Sequence, residues 1–163
     1  MEFAEIAKAH VDDVYRFLLY MSGDRAVAED LASATMERAF RQRDRYDPGR
    51  AAPRAWLLSI ARSTAIDHYR REQRRRRFEI EAARAVPDPA DGPGISNDLG
   101  AALEAGLQRL SAADREVIAL RVILDLDTRA AARLLGVSDS ACTTRFSRAL
   151  ARLEQEVRSH AAA

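Results

Sequence analysis

Residues Thr128 to Leu153 read TRAAARLLGVSDSACTTRFSRALARL. A short alanine-rich stretch follows Asp127, a residue suited to cap it, and Gly136, Val137 and Ser138 make a tight turn. Ser138 then caps a second stretch whose apolar positions, Cys142, Phe146, Ala149, Leu150, Leu153 and Val157, recur every three or four residues. Two helices joined by a glycine turn, the second with its own apolar stripe, form the helix-turn-helix pattern, whose second helix enters the DNA major groove. Off that stripe lie Thr143, Thr144, Arg145 and Arg148, where arginine pairs with guanine edges and threonine meets a phosphate or a thymine methyl. The spacing also fits an ordinary helical hairpin with a solvated arginine face. Cys142, on the stripe, reads as a small buried hydrophobe rather than a nucleophile.

Immediately upstream, Ser111 followed by Asp114 fits a capping box for a helix carrying Val117, Ile118, Leu120 and Val122, preceded by a helix from about Asp98 to Leu110. Before that, RAVPDPADGPGISN, residues 84–97, gathers prolines and glycines with almost no large apolar side chain and predicts a flexible linker. The chain therefore divides into a helical unit over residues 1–84, a linker over 85–97 and a helix-turn-helix unit over 98–163. In the first unit Phe3, Ile6, Ala7, Val11, Val14, Tyr15 and Leu18 form one stripe, which Gly23 stops. Asp24 caps a second helix with Val27, Leu31, Ala34 and Ala39 facing inward and Glu29, Asp30, Ser33 and Glu37 outward. A break through Pro48, Gly49 and Pro53 leads to a third helix from about Arg54 to about Ala85, whose first half, with Trp56, Leu57, Ile60, Ala61 and Ile66, is core and whose second half is a cationic rod. No period-2 stretch predicts a strand, so the fold class is all-α.

Charge is unevenly spread. Residues 38–84 hold 14 basic and 6 acidic side chains and residues 128–163 hold 6 and 3, whereas residues 1–37 and 85–127 each hold 3 basic and 8 acidic ones. Two basic blocks separated by acidic ones suit a chain that grips a polyanion at two places. In the first block Arg62, Arg70, Arg71, Arg74, Arg75, Arg76 and Arg77 make a phosphate track, with Tyr46, Trp56 and Tyr69 close by as aromatics on which bases can stack. Trp56 reads more as core than as a stacking platform; Tyr46, in a Pro/Gly loop, is the freer ring.

Other classes fare poorly. One cysteine and three scattered histidines exclude a disulfide framework and leave no metal-ligand cluster, and no Ser/His/Asp set or glycine-rich phosphate loop is present. No apolar run approaches the roughly 20 residues of a membrane span, and the acidic start is unlike a secretory signal. No membrane insertion and a cytoplasmic protein are the expectation.

Taken in order, AEDLASATMERAF, WLLSIARSTAIDHYRR, the Pro/Gly linker, LQRLSAADREVIALRV and LLGVSDSACTTRFSRALARL resemble the extracytoplasmic-function (ECF) group of bacterial sigma factors in the sigma-70 family, over nearly the whole chain. The resemblance implies a region 2-like domain that binds the clamp of the largest subunit of core RNA polymerase and melts and reads the −10 element. It also implies a region 4-like helix-turn-helix domain that reads the −35 element, with no cofactor and no covalent chemistry of its own. Matched residue by residue, Glu29, Asp30, Leu31, Thr35, Arg38 and Ala39 fall on the polymerase-binding helix, whose acidic outer face suits a basic partner surface. Tyr46, Trp56, Arg62, Ser63, Asp67, Tyr69, Arg70, Arg71 and Arg74 fall on the loop and helix that meet the melted element, the loop from Tyr46 to Pro53 corresponding to one that captures an unstacked base. Thr143, Thr144, Arg145 and Arg148 fall on the recognition helix. The chain departs from the usual pattern at Ser33 and Ala34, where Gln-Glu is common, at Ser63, where Asn is usual, and at Ala130, Ala141 and Thr143.

The resemblance also implies an anti-sigma protein as a candidate partner, for which the acidic first helices and the interdomain surface offer a place. The terminal Ala161, Ala162 and Ala163 look like tails taken by bacterial energy-dependent proteases, and equally like a helix fraying into alanines. The competing function is a stand-alone helix-turn-helix regulator that binds duplex DNA alone; it has no need of an arginine track beside loop aromatics.

Overall fold

The computed structural model describes residues 2–82 and 98–162, and among them there is no strand. The expected linker over 85–97 lies outside the described residues, as does Ala163. Helix α1 spans Phe3–Ser22, α2 Arg25–Gln42 and α3 Pro53–Ala82; α4 spans Asp98–Arg109, α5 Ala112–Ile118, α6 Thr128–Leu135 and α7 Asp139–Ala161. Among the described residues no helix is long and apolar enough to cross a membrane.

The helix boundaries follow local chemistry. Gly23 ends α1 at φ 67°, a left-handed conformation that costs a side-chain-bearing residue strain, and its N–H donates to the Leu19 carbonyl at 2.8 Å. Asp24 accepts from the Val27 N–H and so caps α2. Pro53 opens α3, where its missing N–H has no intrahelical partner to lose. Asp127 caps α6 through the Ala130 N–H at 2.7 Å, and Ser138 caps α7 through the Ala141 N–H at 3.2 Å. Between these, Gly136 again takes φ 67°.

Helices α1, α2 and α3 pack pairwise around Val14, Phe17, Leu18, Met21, Ala28, Leu31, Ala32, Ala39, Leu57, Leu58, Ala61 and Ala65, all buried. Each fully buried large side chain contributes about 1.5–3 kcal/mol. The stripes are rotated relative to the sequence expectation. Val11 is 38% exposed while Phe17, six residues nearer the C-terminus, is the fully buried ring. In α2, Ala34 faces solvent, and Ala28, Ala32 and Thr35 take the inward places. Two helices contact α2 from one side, and that stripe is too narrow to include Ala34 with Leu31 and Thr35.

In the second unit α7 packs against α4, α5 and α6. Ser111 caps α5 through the Asp114 N–H, but the carboxylate of Asp114 turns to Arg152 of α7, so the capping box is half-formed. After Ile118 the helix widens into a π-helical turn over Ala119–Ile123, closed by a bond from the Leu124 N–H to the Ala119 carbonyl. That extra residue per turn shifts the facing of the segment: Leu120 stays buried while Val122 is 52% exposed, against expectation. Leu150, also expected inward, is 38% exposed, while Ala149 beside it is fully buried.

The two units share one apolar cluster. Helix α1 contacts α5 and the π-helical turn, and α3 contacts α6. Gly23 meets the Gln108 side chain of α4, which stands where a Cβ would be.

Candidate nucleic-acid interface

The first surface lies on α7. Capping by Ser138 holds its first turn, and Cys142 and Ala149, fully buried, fix its rotation, so Thr143, Thr144 and Arg148 are exposed and Arg145 is half-buried. Burial pushes the Cys142 thiol above its ordinary 9.0, with Arg121 and Arg145 pulling against it, so it stays a neutral packing group. The Arg121 guanidinium sits 5.2 Å from the centre of the Phe146 ring and donates to the Leu126 carbonyl, tying the π-helical turn to the base of α7. Thr144, Arg145 and Arg148 line a cleft of about 490 Å³ together with Ser140, Ala141, Asp114 and Arg152. Thr143 lies outside this cleft, its hydroxyl donating to the Asp139 carbonyl. Arg152 was not singled out in the sequence, although it continues the three- and four-residue spacing of Arg145 and Arg148.

The second surface is the outer half of α3. Arg70, Arg71 and Arg74 are exposed and make no ion pair among the described residues; Arg71 and Arg74 lie along the helix, donating to the carbonyls of Asp67 and Arg70. Arg75 is paired with Glu72 at 3.0 Å and Glu79 at 3.6 Å. Arg62 is set apart from this row: its Nε lies 2.5 Å from the carboxylate of Glu116 on α5. Ser63 is half-buried beside it.

The aromatic side chains differ from the reading of Tyr46 as a free ring. Tyr46 stacks on Trp56 with ring centres 4.6 Å apart, and its hydroxyl donates to the Ala51 carbonyl at 3.0 Å. Both rings line a smaller cavity of about 220 Å³ with Phe3, Ile6, Arg43 and Asp44. Tyr69 is tied to the core, its hydroxyl donating to the Met21 carbonyl at 2.5 Å, and burial raises its pKa above the ordinary 10.0.

The third surface is α2. Glu29 and Asp30 are exposed, as the helical pattern requires. Leu31 and Thr35 are buried, with the Thr35 hydroxyl donating to the Leu31 carbonyl at 2.7 Å, so they hold the helix from inside. Arg38 pairs with Asp67 of α3 at 3.3 Å, both half-exposed. Near the end of the helix Phe40 is 51% exposed, edge-on to Phe3, with the Arg43 guanidinium 4.2 Å over its face; the sequence reading passed over this patch.

Comparison with known proteins agrees across both units. Residues 6–75 match the family model described as sigma-70 region 2, and residues 100–153 the one described as sigma-70, region 4. The chain is 32% identical over 159 residues to the RNA polymerase sigma factor CarQ of Myxococcus xanthus, covering 94% of this chain and 87% of that protein. It is 31% identical over 161 residues to the ECF RNA polymerase sigma factor BldN of Streptomyces coelicolor, covering 93% of this chain but spanning only 60% of that relative. Among solved structures, the sigma factor RpoE in complex with the anti-sigma factor NepR from Bartonella quintana superimposes with a TM-score of 0.75 at 26% identity, covering 96% of each chain.

Proposed function

The chain belongs to the sigma-70 family of RNA polymerase sigma factors, in its ECF group, and on that premise we propose a division of labour between its two units. Residues 1–84 bind core RNA polymerase and the melted promoter strand, residues 98–163 read the upstream duplex, and residues 85–97 tether the two. The docking surface for polymerase is the α2 face carrying Glu29 and Asp30, with Arg38 at its edge and Leu31 and Thr35 supporting it from the core. Arg70, Arg71 and Arg74 track the backbone of the melted strand, joined by Arg62, with Ser63 and Tyr69 on the same helix, while the cavity at Tyr46 and Trp56 receives an unstacked base. Thr143, Thr144, Arg145 and Arg148 read the upstream element in the major groove.

The observation that carries this reading is the presence, in one chain, of two separate arginine surfaces, one on α3 and one on α7, each on a unit matching its own sigma region. A regulator binding duplex DNA through α7 alone uses only one of them. Tethering makes the second contact a local event, so two weak contacts add to useful affinity on one promoter. The protein acts as a specificity subunit without covalent chemistry, in the cytoplasm with the polymerase. An anti-sigma protein is a further partner, as in the RpoE complex. The test is run-off transcription with purified core polymerase on promoters of the source genome, with and without the protein. Specific transcripts that vanish when Arg145 and Arg148 are changed to Ala support the reading; no transcript and no co-elution with core polymerase reject it.

A further inference from the structure

The arginine row of α3 ends on an apolar ring. Phe78 is 70% exposed, more than any other large apolar side chain among the described residues. Within them no aromatic ring stacks on it, no cation sits over its face, and it lies outside the shared apolar cluster. The three rings that the sequence pattern brings near the row are engaged elsewhere: Tyr46 and Trp56 stack on each other, and the Tyr69 hydroxyl donates to the Met21 carbonyl. Phe78 also lies beyond residue 75, the last that the region 2 family model matches. Reading this half of α3 as a cationic rod passed over it.

At about 3.6 residues per turn, Arg70, Arg71, Arg74, Arg77 and Phe78 fall within about one third of the helix circumference, and Phe78 stands one turn, about 6 Å, beyond Arg74. All five are exposed, and the four arginines make no ion pair among the described residues. Arg71 and Arg74 donate through Nε to carbonyls of their own helix, which leaves their Nη groups without a partner among the described residues. Glu72 and Glu79 fall on the opposite side, where both pair with Arg75. Asp67, at the root of the arginine face, is taken by Arg38. Whatever covers this face must therefore bring negative charge and a flat apolar plane together. An acidic protein face brings the charge without the plane, and a duplex keeps its base faces stacked on one another, whereas a single strand offers phosphates to the guanidinium groups and an unpaired base to the ring. We propose that Phe78 is a stacking platform for an unpaired base, and that Arg70, Arg71, Arg74 and Arg77 hold the phosphates leading to it. The platform rests on the reading above that α3 tracks the melted strand, and adds to it a base contact one turn beyond Arg74.

The test measures fluorescence anisotropy of the full chain on two labelled single strands of equal length, a thymine tract and the same backbone with abasic positions. The native chain is expected to bind the thymine tract more tightly. Phe78→Ala is expected to lose roughly fivefold or more on the thymine tract and nothing on the abasic strand, because a stacked base is lost while the phosphate contacts stay. Phe78→Tyr keeps the ring and is expected to restore the affinity. Phe78 lies outside the core, so these variants keep their helical circular dichroism. Phe78→Ala binding both strands as the native chain does, or losing equally on both, overturns the platform, as does Phe78→Tyr behaving like Phe78→Ala. If Phe78→Ala keeps its affinity for both strands but co-elutes less with core polymerase, the ring meets protein and the platform falls. Changing Arg70, Arg71 and Arg74 together to Ala is expected to weaken binding to both strands. If it weakens neither, or if the native chain binds neither strand, the reading of α3 fails and the platform with it; if it weakens both while Phe78→Ala weakens neither, that reading stands and Phe78 alone is removed from it.

Discussion

Arg152, near the middle of α7, donates across 2.5 Å to the buried carboxylate of Asp114 at the start of α5. The pair clamps α7 to α5 and places a third arginine in the cleft of Arg145 and Arg148. Because Asp114 is 8% exposed and Arg152 59%, changing Arg152 to Ala leaves a buried carboxylate without its partner. The expected cost is about 1–2 kcal/mol, read in urea unfolding, with a smaller cost for Arg152→Ala in an Asp114→Asn background.

Arg145→Ala and Arg148→Ala are each expected to weaken binding to the upstream element by about 1–3 kcal/mol where they meet a base edge. If either instead meets only phosphate, the loss is uniform across sequences and the slope of log affinity against log salt falls by about 1. Gel shifts at several salt concentrations on cognate and scrambled duplexes separate the two.

Changing Arg70, Arg71 and Arg74 together to Ala is expected to abolish opening of the promoter while leaving upstream duplex binding intact. Permanganate reactivity of unpaired thymines measures the first and a gel shift the second. Loss of both would place these side chains in the fold rather than on the strand.

Ser138→Ala removes the acceptor for the Ala141 N–H at the first turn of α7. A cost of about 1 kcal/mol is expected, seen as a lower Tm, together with weaker upstream binding because the frayed turn carries Ser140 and Ala141 of the cleft.

Tyr69 links stability to alkaline pH. An unfolded tyrosine loses its proton near 10.0, while burial under α1 holds the folded hydroxyl protonated to higher pH, with Arg115 pulling the other way. The stability this contributes is fully present below pH 10.0 and is lost as pH rises through the folded value. Urea unfolding across that range is expected to show a fall that is smaller in Tyr69→Phe, which at neutral pH loses about 1 kcal/mol with its bond to the Met21 carbonyl.

Much of the fold was legible because its signals are local. Asp24, Ser111, Asp127 and Ser138 each cap the helix their position announces, and Gly23 and Gly136 each take the left-handed turn that ends one. The faces of the helices were less legible. Val11, Ala34, Val122 and Leu150 satisfy a three- and four-residue spacing, yet all four face solvent, because which stripe is buried depends on which neighbours arrive. The π-helical turn has no sequence signature of its own, so the rotation it imposes on Val122 was invisible.

The amino-acid order alone determined an all-α chain in two units, the helix-turn-helix and the two basic surfaces, since caps, turns and charge blocks act over a few residues. Only the tertiary structure decided that Tyr46 stacks on Trp56, that Tyr69 is tied to α1, that Asp114 serves Arg152 rather than its own helix, and that Arg62 is held by Glu116, 54 residues away. A side chain's partner is chosen by desolvation and distance in the packed chain, and neither quantity exists until the helices have met.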